Sequence, residues 1–218
     1  MKLFFRALQF EFATLLAYPH EIFVAILRQI IRIALLIYFW RLVAEGSNGN
    51  IDIANLAGYF LIADGVATIL MAHNTSYGRA IRKSIKNGTI SSLLSKPLNV
   101  LPYLYGQTLG RFAINYITGI ATIVIGMLFV KPSLFQIGLF LITLIPAWTC
   151  ALVLNLLEGT LSFLITEVGG VKNAIRHVAN ILSGRMIPLY LFPAAAQPFL
   201  ILNPFSITVF VPVQFLIE

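Results

Sequence analysis

Charged side chains are rare in this sequence, and several interrupt long apolar runs, where each would cost about 2.5 to 3.5 kcal/mol near a bilayer centre on insertion scales. Arg28 and Arg32 lie one helical turn apart within residues 22–44, Asp64 sits near the middle of residues 56–72, and Arg111 falls within residues 103–130. Arg32 and Asp64 would stand at similar depth in adjacent, oppositely directed helices, so a pair in the bundle interior is expected. Arg111 is an alternative partner for Asp64. These three side chains either line a translocation path or hold helices together as buried pairs. Arg28 either shares the buried stripe with Glu21 and Arg32 or snorkels to the headgroups.

Groups for bond chemistry do not converge in the same way. No glycine is directly followed by lysine, so the phosphate-cradling loop G-x-x-x-x-G-K-[ST] is absent. His20-Glu21 lacks the second histidine of H-E-x-x-H, and His20, His73 and His177 fall in separate segments, so no metal site is expected. A G-x-S-x-G elbow is missing too. The single Cys150 lies in an apolar run, which excludes a disulfide framework. Asn74-Thr75-Ser76 and Asn87-Gly88-Thr89 match the glycosylation acceptor pattern, but fall on the side assigned below as cytoplasmic and read as chance matches.

The elements that must position these residues are membrane helices. Of the 218 residues, 59% are hydrophobic and 11% charged, against about 25% charged in soluble domains, and the mean hydropathy is +0.89. The net charge of +7 would suit nucleic acid on a soluble domain, but the basic residues cluster in short segments between apolar runs and lack interleaved aromatics, so nucleic-acid binding is not expected. Residues 22–44 are long enough to cross about 30 Å of hydrocarbon. Further spans are expected at 56–72, 103–130 and 133–157, the last kinked or opened at Pro146, with a less regular fifth at 174–192. Gly106, Gly110, Gly119 and Gly126 permit close helix approach, either within one subunit or between two.

Residues 45–55 hold two acids and no lysine or arginine, whereas residues 77–102 hold five basic residues and no acid. The positive-inside bias therefore places the second segment in the cytoplasm. Within it, Arg79, Arg82, Lys83 and Lys86 share one helical face, Asn87-Gly88 breaks that helix, Thr89 or Ser91 caps a second one carrying Ile90, Leu93 and Leu94, and Lys96-Pro97 ends it. Residues 1–19 read as an amphipathic helix in the headgroup plane; a signal peptide is the competing reading, weakened by Glu11 and the lack of a cleavage pattern. From Pro188 on, prolines recur at 193, 198, 204 and 212, which predicts short broken helices in the outer leaflet across 188–204. No final span is expected after Phe205.

The connector NGTISSLLSKPLN from Asn87 to Asn99, the run LLEGTLSFLITE from Leu156 to Glu167, and the pair LSGRMIPLYLFP from Leu182 and LNPFSITVFVPVQ from Leu202 resemble the membrane subunits of type-2 ABC transporters, the exporter-like permeases. The resemblance implies an all-α polytopic permease that forms a homodimer or heterodimer and docks a separate ATPase subunit. ATP and magnesium would then bind on that partner, with no cofactor on this chain. It implies a multi-pass protein of the cell membrane, such as the bacterial cytoplasmic membrane, surrounded by lipid and with its N-terminus in the cytoplasm. Gly88, Thr89, Ile90, Ser91, Leu93, Leu94, Lys96 and Pro97 match the family's coupling element. Gly184, Pro188, Pro193 and Pro204 match its outer gate. Family members continue through a sixth span, which this sequence, ending at Glu218, is expected to lack.

The function so implied is ATP-driven export of an amphipathic or apolar substrate. Two other classes compete. A lipid-modifying membrane enzyme would use Asp64, Glu158 or His177 as acid-base groups, but these are scattered. An ion-coupled secondary transporter would suit the midplane charges and broken helices, yet no inverted repeat is evident.

Overall fold

The apolar runs fold as helices because lipid offers no partner for backbone N–H and C=O groups, so each segment must satisfy its own. A computed structural model describes residues 2–46, 53–96, 99–160 and 169–217, and every regular element among them is helical. The chain is an all-α polytopic membrane protein. Among the described residues, three helical stretches are long and apolar enough to cross a bilayer, Pro19–Val43, Ala113–Val130 and Leu134–Leu157, with a shorter apolar stretch at Ala54–Leu70.

In chain order, α1 (Lys2–Ala17) meets α2 (Pro19–Gly46) at Tyr18. Helix α3 (Ile53–Ala67) continues without a break through a π-helical turn, Thr68–Ala72, into α4 (His73–Lys86). The short α5 (Thr89–Leu94) follows, then α6 (Val100–Arg111), α7 (Ala113–Val130), α8 (Leu134–Thr160) and α9 (Gly169–Leu182). A 3-10 turn at Leu189–Leu191 leads to α10 (Gln197–Ile201), α11 (Pro204–Thr208) and α12 (Phe210–Ile217).

Helix α3 is the centre of the main core. It packs against α7, α2 and α12, and Tyr59, Phe60, Ile62, Ala63 and Val66 are almost fully enclosed. The approach to α7 is set by glycine. A Cβ built on Gly65 would lie 2.7 Å from the Gly119 carbonyl oxygen, and one on Gly126 would lie 3.1 Å from the Gly58 carbonyl oxygen. Gly106 and Gly110 serve the other packing face. A Cβ on Gly106 would stand 2.8 Å from the Phe4 carbonyl oxygen, so α6 lies directly on α1. All four glycines thus have partners within one chain.

Three expected spans change in detail. Residues 103–130 are two helices, because α6 is committed to α1 and ends at Arg111, and Phe112 (φ −100°, ψ 16°) separates it from α7. Helix α8 is not opened at Pro146; it runs through, and the Thr149 hydroxyl donates to the carbonyls of Pro146 and Ile145 at 3.0 and 3.3 Å. The fifth segment stops at Leu182, where Gly184 takes a left-handed conformation (φ 76°) and turns the chain. After Phe205, where no final span is expected, the described residues form only the short α11 and α12, which pack on α8, and Val209, Val213 and Leu216 are fully buried.

Candidate functional site

Polar side chains inside apolar helices mark the first candidate site. Asp64, 2% exposed, projects from the middle of α3. Its Oδ2 accepts from Arg32 Nη2 at 2.7 Å and from Gln29 Nε2 at 2.6 Å. Its Oδ1 accepts from Arg185 Nη2 at 2.8 Å and Nε at 3.3 Å. Arg32 also donates to the Gln29 side-chain carbonyl and to Thr68 Oγ1, the latter at 3.1 Å.

Local structure explains the convergence. Gln29 and Arg32 are one turn apart on α2, and Thr68, one turn beyond Asp64, opens the π segment, a distortion of helical register often found at functional positions. Arg185 arrives from the loop after α9. That loop is pinned on both sides of the arginine: the Tyr59 hydroxyl donates to the Gly184 carbonyl at 2.8 Å, and Trp40 Nε1 donates to the Met186 carbonyl at 3.2 Å.

The structure joins Arg32 to Asp64 and adds two further partners that the sequence did not reveal, Gln29 and Arg185. Both are visible in the sequence as polar interruptions of apolar runs, but only the fold shows that they share one carboxylate. Arg111 does not reach Asp64. Its guanidinium forks onto Glu11 of α1 at 3.0 to 3.1 Å, because α6 rests on α1. Glu11 is buried, which makes this pair the polar centre of the α1–α6 contact.

Asp64 has both oxygens covered by N–H donors, so it is not presented as a general base. His177 is exposed and distant in sequence from any carboxylate set, and no metal-binding cluster occurs among the described residues. The arrangement suits clamping of helices rather than bond chemistry.

The second candidate site is the connector. Helix α4 packs inward through Tyr77 and Ile81, which meet Leu104 of α6. The Tyr77 hydroxyl donates to the Leu101 carbonyl at 3.1 Å; burial, then the neighbouring Tyr105, pushes this phenol up to about 12, which keeps the donor protonated. Gly88, at φ 69° and with nothing within 4 Å of where a Cβ would lie, starts α5. Neither Thr89 nor Ser91 caps α5. Thr89 instead donates back to the Ser84 carbonyl at 3.2 Å, tying the turn to α4.

Within α5, Leu94 is 68% exposed, Thr89 and Ser91 face out with it, and Lys96 follows, also exposed. Ile90 is half-buried, and Leu93 packs on the Tyr77–Ile81–Leu104 cluster. The three apolar residues expected to act together therefore divide. Pro97 lies outside the described residues.

The third is the segment after Gly184. Pro188 is buried, Pro193 and Pro204 are exposed, and Pro204 occupies the first turn of α11, where its missing N–H costs nothing. Asn203, absent from the expected gate residues, organises the segment. Its Oδ1 accepts from the Phe205 and Ser206 amides at 2.8 and 3.0 Å, and its Nδ2 donates to the carbonyls of Leu200 and, at 3.2 Å, of Leu182. One side chain thus joins α9, α10 and α11. An asparagine directly before proline was the available signal.

Neither the curated proteins nor the solved structures contain a significant match to the chain. The protein-family comparison does give one: residues 49–218, the greater part of the chain, match the family described as ABC-2 family transporter protein. The matched region includes Asp64, the connector and the Asn203 segment, and so the chain belongs to the ABC-2 transporter family and is a membrane subunit of an ABC transporter.

Proposed function

We propose that this chain exports an amphipathic or apolar substrate by alternating access, driven by a separate ATPase subunit that binds ATP and magnesium. The observation that carries the reading is α5, a short helix set on a left-handed glycine, with Leu94 exposed at 68% beyond the end of a long helical run. Gly88 to Pro97 would be the surface that the motor grips. Residues 1–19 would lie along the cytoplasmic headgroups, with the N-terminus inside a bacterial cytoplasmic membrane, and residues 188–204 would form a re-entrant outer gate around Gly184, Pro188, Pro193 and Pro204. A second permease subunit, identical or homologous, would complete the path.

Motor closure would then displace α4 and α5 as a unit and shift the packing of the spans, a population change rather than a reaction on this chain. The Arg32–Asp64–Arg185 cluster would act as the latch that both packings must accommodate, and Glu11–Arg111 would hold the α1–α6 platform.

The test is co-purification of the chain with an ATPase, followed by vesicle transport with and without ATP. Leu94→Asp should abolish association while leaving insertion intact. Leu93→Asp is the unsuitable variant, because it would damage the chain's own packing. ATP-independent transport by this chain alone would sink the proposal.

A further inference from the structure

The charges around Asp64 do not balance. Arg32 and Arg185 share this one carboxylate, and among the described residues no other acid is ion-paired with either. Arg28 adds a third guanidinium one turn from Arg32 on the same helix, exposed, with Glu21 two turns away toward the N-terminal end. Arg28, Arg32 and Arg185 against Asp64 and the more distant Glu21 make three cations and two anions, an excess of one positive charge around this part of α2. Such an excess is costly in hydrocarbon and is normally met by a counter-charge.

Asp64 cannot supply more, because Arg32, Gln29 and Arg185 already cover both of its oxygens. Arg32 has its Nε enclosed and its Nη2 committed to the cluster, but 41% of its side chain is exposed, so part of its guanidinium faces outward. The surface beside Arg28 is apolar and outward, with Phe23, Val24, Leu27 and Ile31 all exposed. A counter-ion reaching this stripe must therefore carry an anionic head on a body that tolerates an apolar wall. Arg28 stands about 13 Å along the helix from Pro19, within snorkelling distance of the headgroup layer.

We propose that Arg28, with the outward half of Arg32, binds the phosphate of an anionic membrane lipid. One phosphodiester cancels that excess and places the acyl chains along the exposed face of α2. The guanidinium of Arg28 offers a planar donor fork suited to two phosphate oxygens, which a lysine would not reproduce.

The experiment uses the full chain in a neutral detergent, without any ATPase, so its outcome does not depend on the transport reading. Phosphatidylglycerol and phosphatidylcholine with identical acyl chains are offered in turn, and retained lipid is counted by native mass spectrometry. Retention of phosphatidylglycerol should exceed that of phosphatidylcholine by about fivefold, the value of one cation near an anionic membrane surface. Arg28→Gln should bring the ratio close to one at unchanged melting temperature, with Arg28→Lys between the two. Equal retention of the two lipids, or an unchanged ratio in Arg28→Gln, overturns the proposal. So does displacement of phosphatidylglycerol by millimolar inorganic phosphate, which would mark a site for a soluble oxyanion, or loss of retention only when two copies associate, which would mark a protein contact.

Discussion

Replacing Asp64 by asparagine keeps the shape of the side chain and removes the charge on which two guanidiniums depend. Removing one partner of a buried ion pair costs about 3 to 5 kcal/mol. Asp64 is 3% exposed as a side chain, Arg185 17% and Arg32 41%, so Arg32 can relax outward and the lower end, about 3 kcal/mol, applies. That is on the order of a hundredfold in the folded population. Arg185→Gln should cost less, because it leaves a one-to-one Arg32–Asp64 pair and relieves repulsion between the guanidiniums; about 1 kcal/mol is expected, below the roughly 1.5 to 3 kcal/mol of a charged hydrogen bond. The double variant Asp64→Asn/Arg185→Gln should recover part of the loss of Asp64→Asn alone. Exchanging Arg32 and Asp64 should not restore stability, because the new arginine at position 64 would face Arg185. Thermal unfolding in detergent, with gel filtration to follow aggregation, reads all four. An Arg185→Gln loss equal to that of Asp64→Asn, or strictly additive losses in the double variant, would refute the charge count.

Three further outcomes follow from the packing. Gly65→Ala should cost about 1 to 3 kcal/mol, since its methyl would press on backbone atoms of α7, 2.7 Å from the Gly119 oxygen and 3.1 Å from the Ile123 nitrogen; Gly138→Ala, with open space around it, should leave the melting temperature unchanged or slightly raised. Arg111→Gln should be more damaging than Glu11→Gln, about 3 against about 1 kcal/mol in unfolding experiments, because the buried carboxylate is stranded in the first case and the exposed arginine simply meets water in the second. Asn203→Ala should lose about 1 to 2 kcal/mol of cap energy, and Asn203→Asp should recover only the part owed to the accepted Phe205 and Ser206 amides, as judged by melting temperatures.

Membrane character, the helix break at Asn87-Gly88, the short helix after it and the broken segment from Pro188 on are all legible in the sequence, because each rests on a local rule of composition or backbone chemistry. Pairing is legible only where periodicity fixes depth. Arg32 and Asp64 can be matched because two adjacent helices of opposite direction set them level. Arg111 cannot, because the amphipathic pattern of α1 points to lipid and gives no sign that α6 will lie on it. The glycines that seat α6 on α1 pull Arg111 to Glu11, and no residue pattern states which of two faces a small-residue stripe will choose. The division of Leu93 from Leu94 is hidden for a related reason: six residues are too few for periodicity to show which flank meets the rest of the chain.

One continuity links the two ends of the molecule. Helical backbone runs unbroken from Ile53 to Lys86 through the π segment, so the carboxylate of the buried cluster and the turn that presents α5 belong to a single element. From Asp64 to Lys86 that element spans about 33 Å at about 1.5 Å per residue. A straight α-helix would transmit displacement along its axis but would hold Asp64 and Thr68 in fixed register. The π segment relaxes that constraint where Thr68 receives Arg32. Just before it stands the carboxylate that ties α2 to the loop carrying Arg185. If the motor grips α5 as proposed, a push there would be carried along this one element to the point where register can change, beside the carboxylate that holds Arg32 and Arg185.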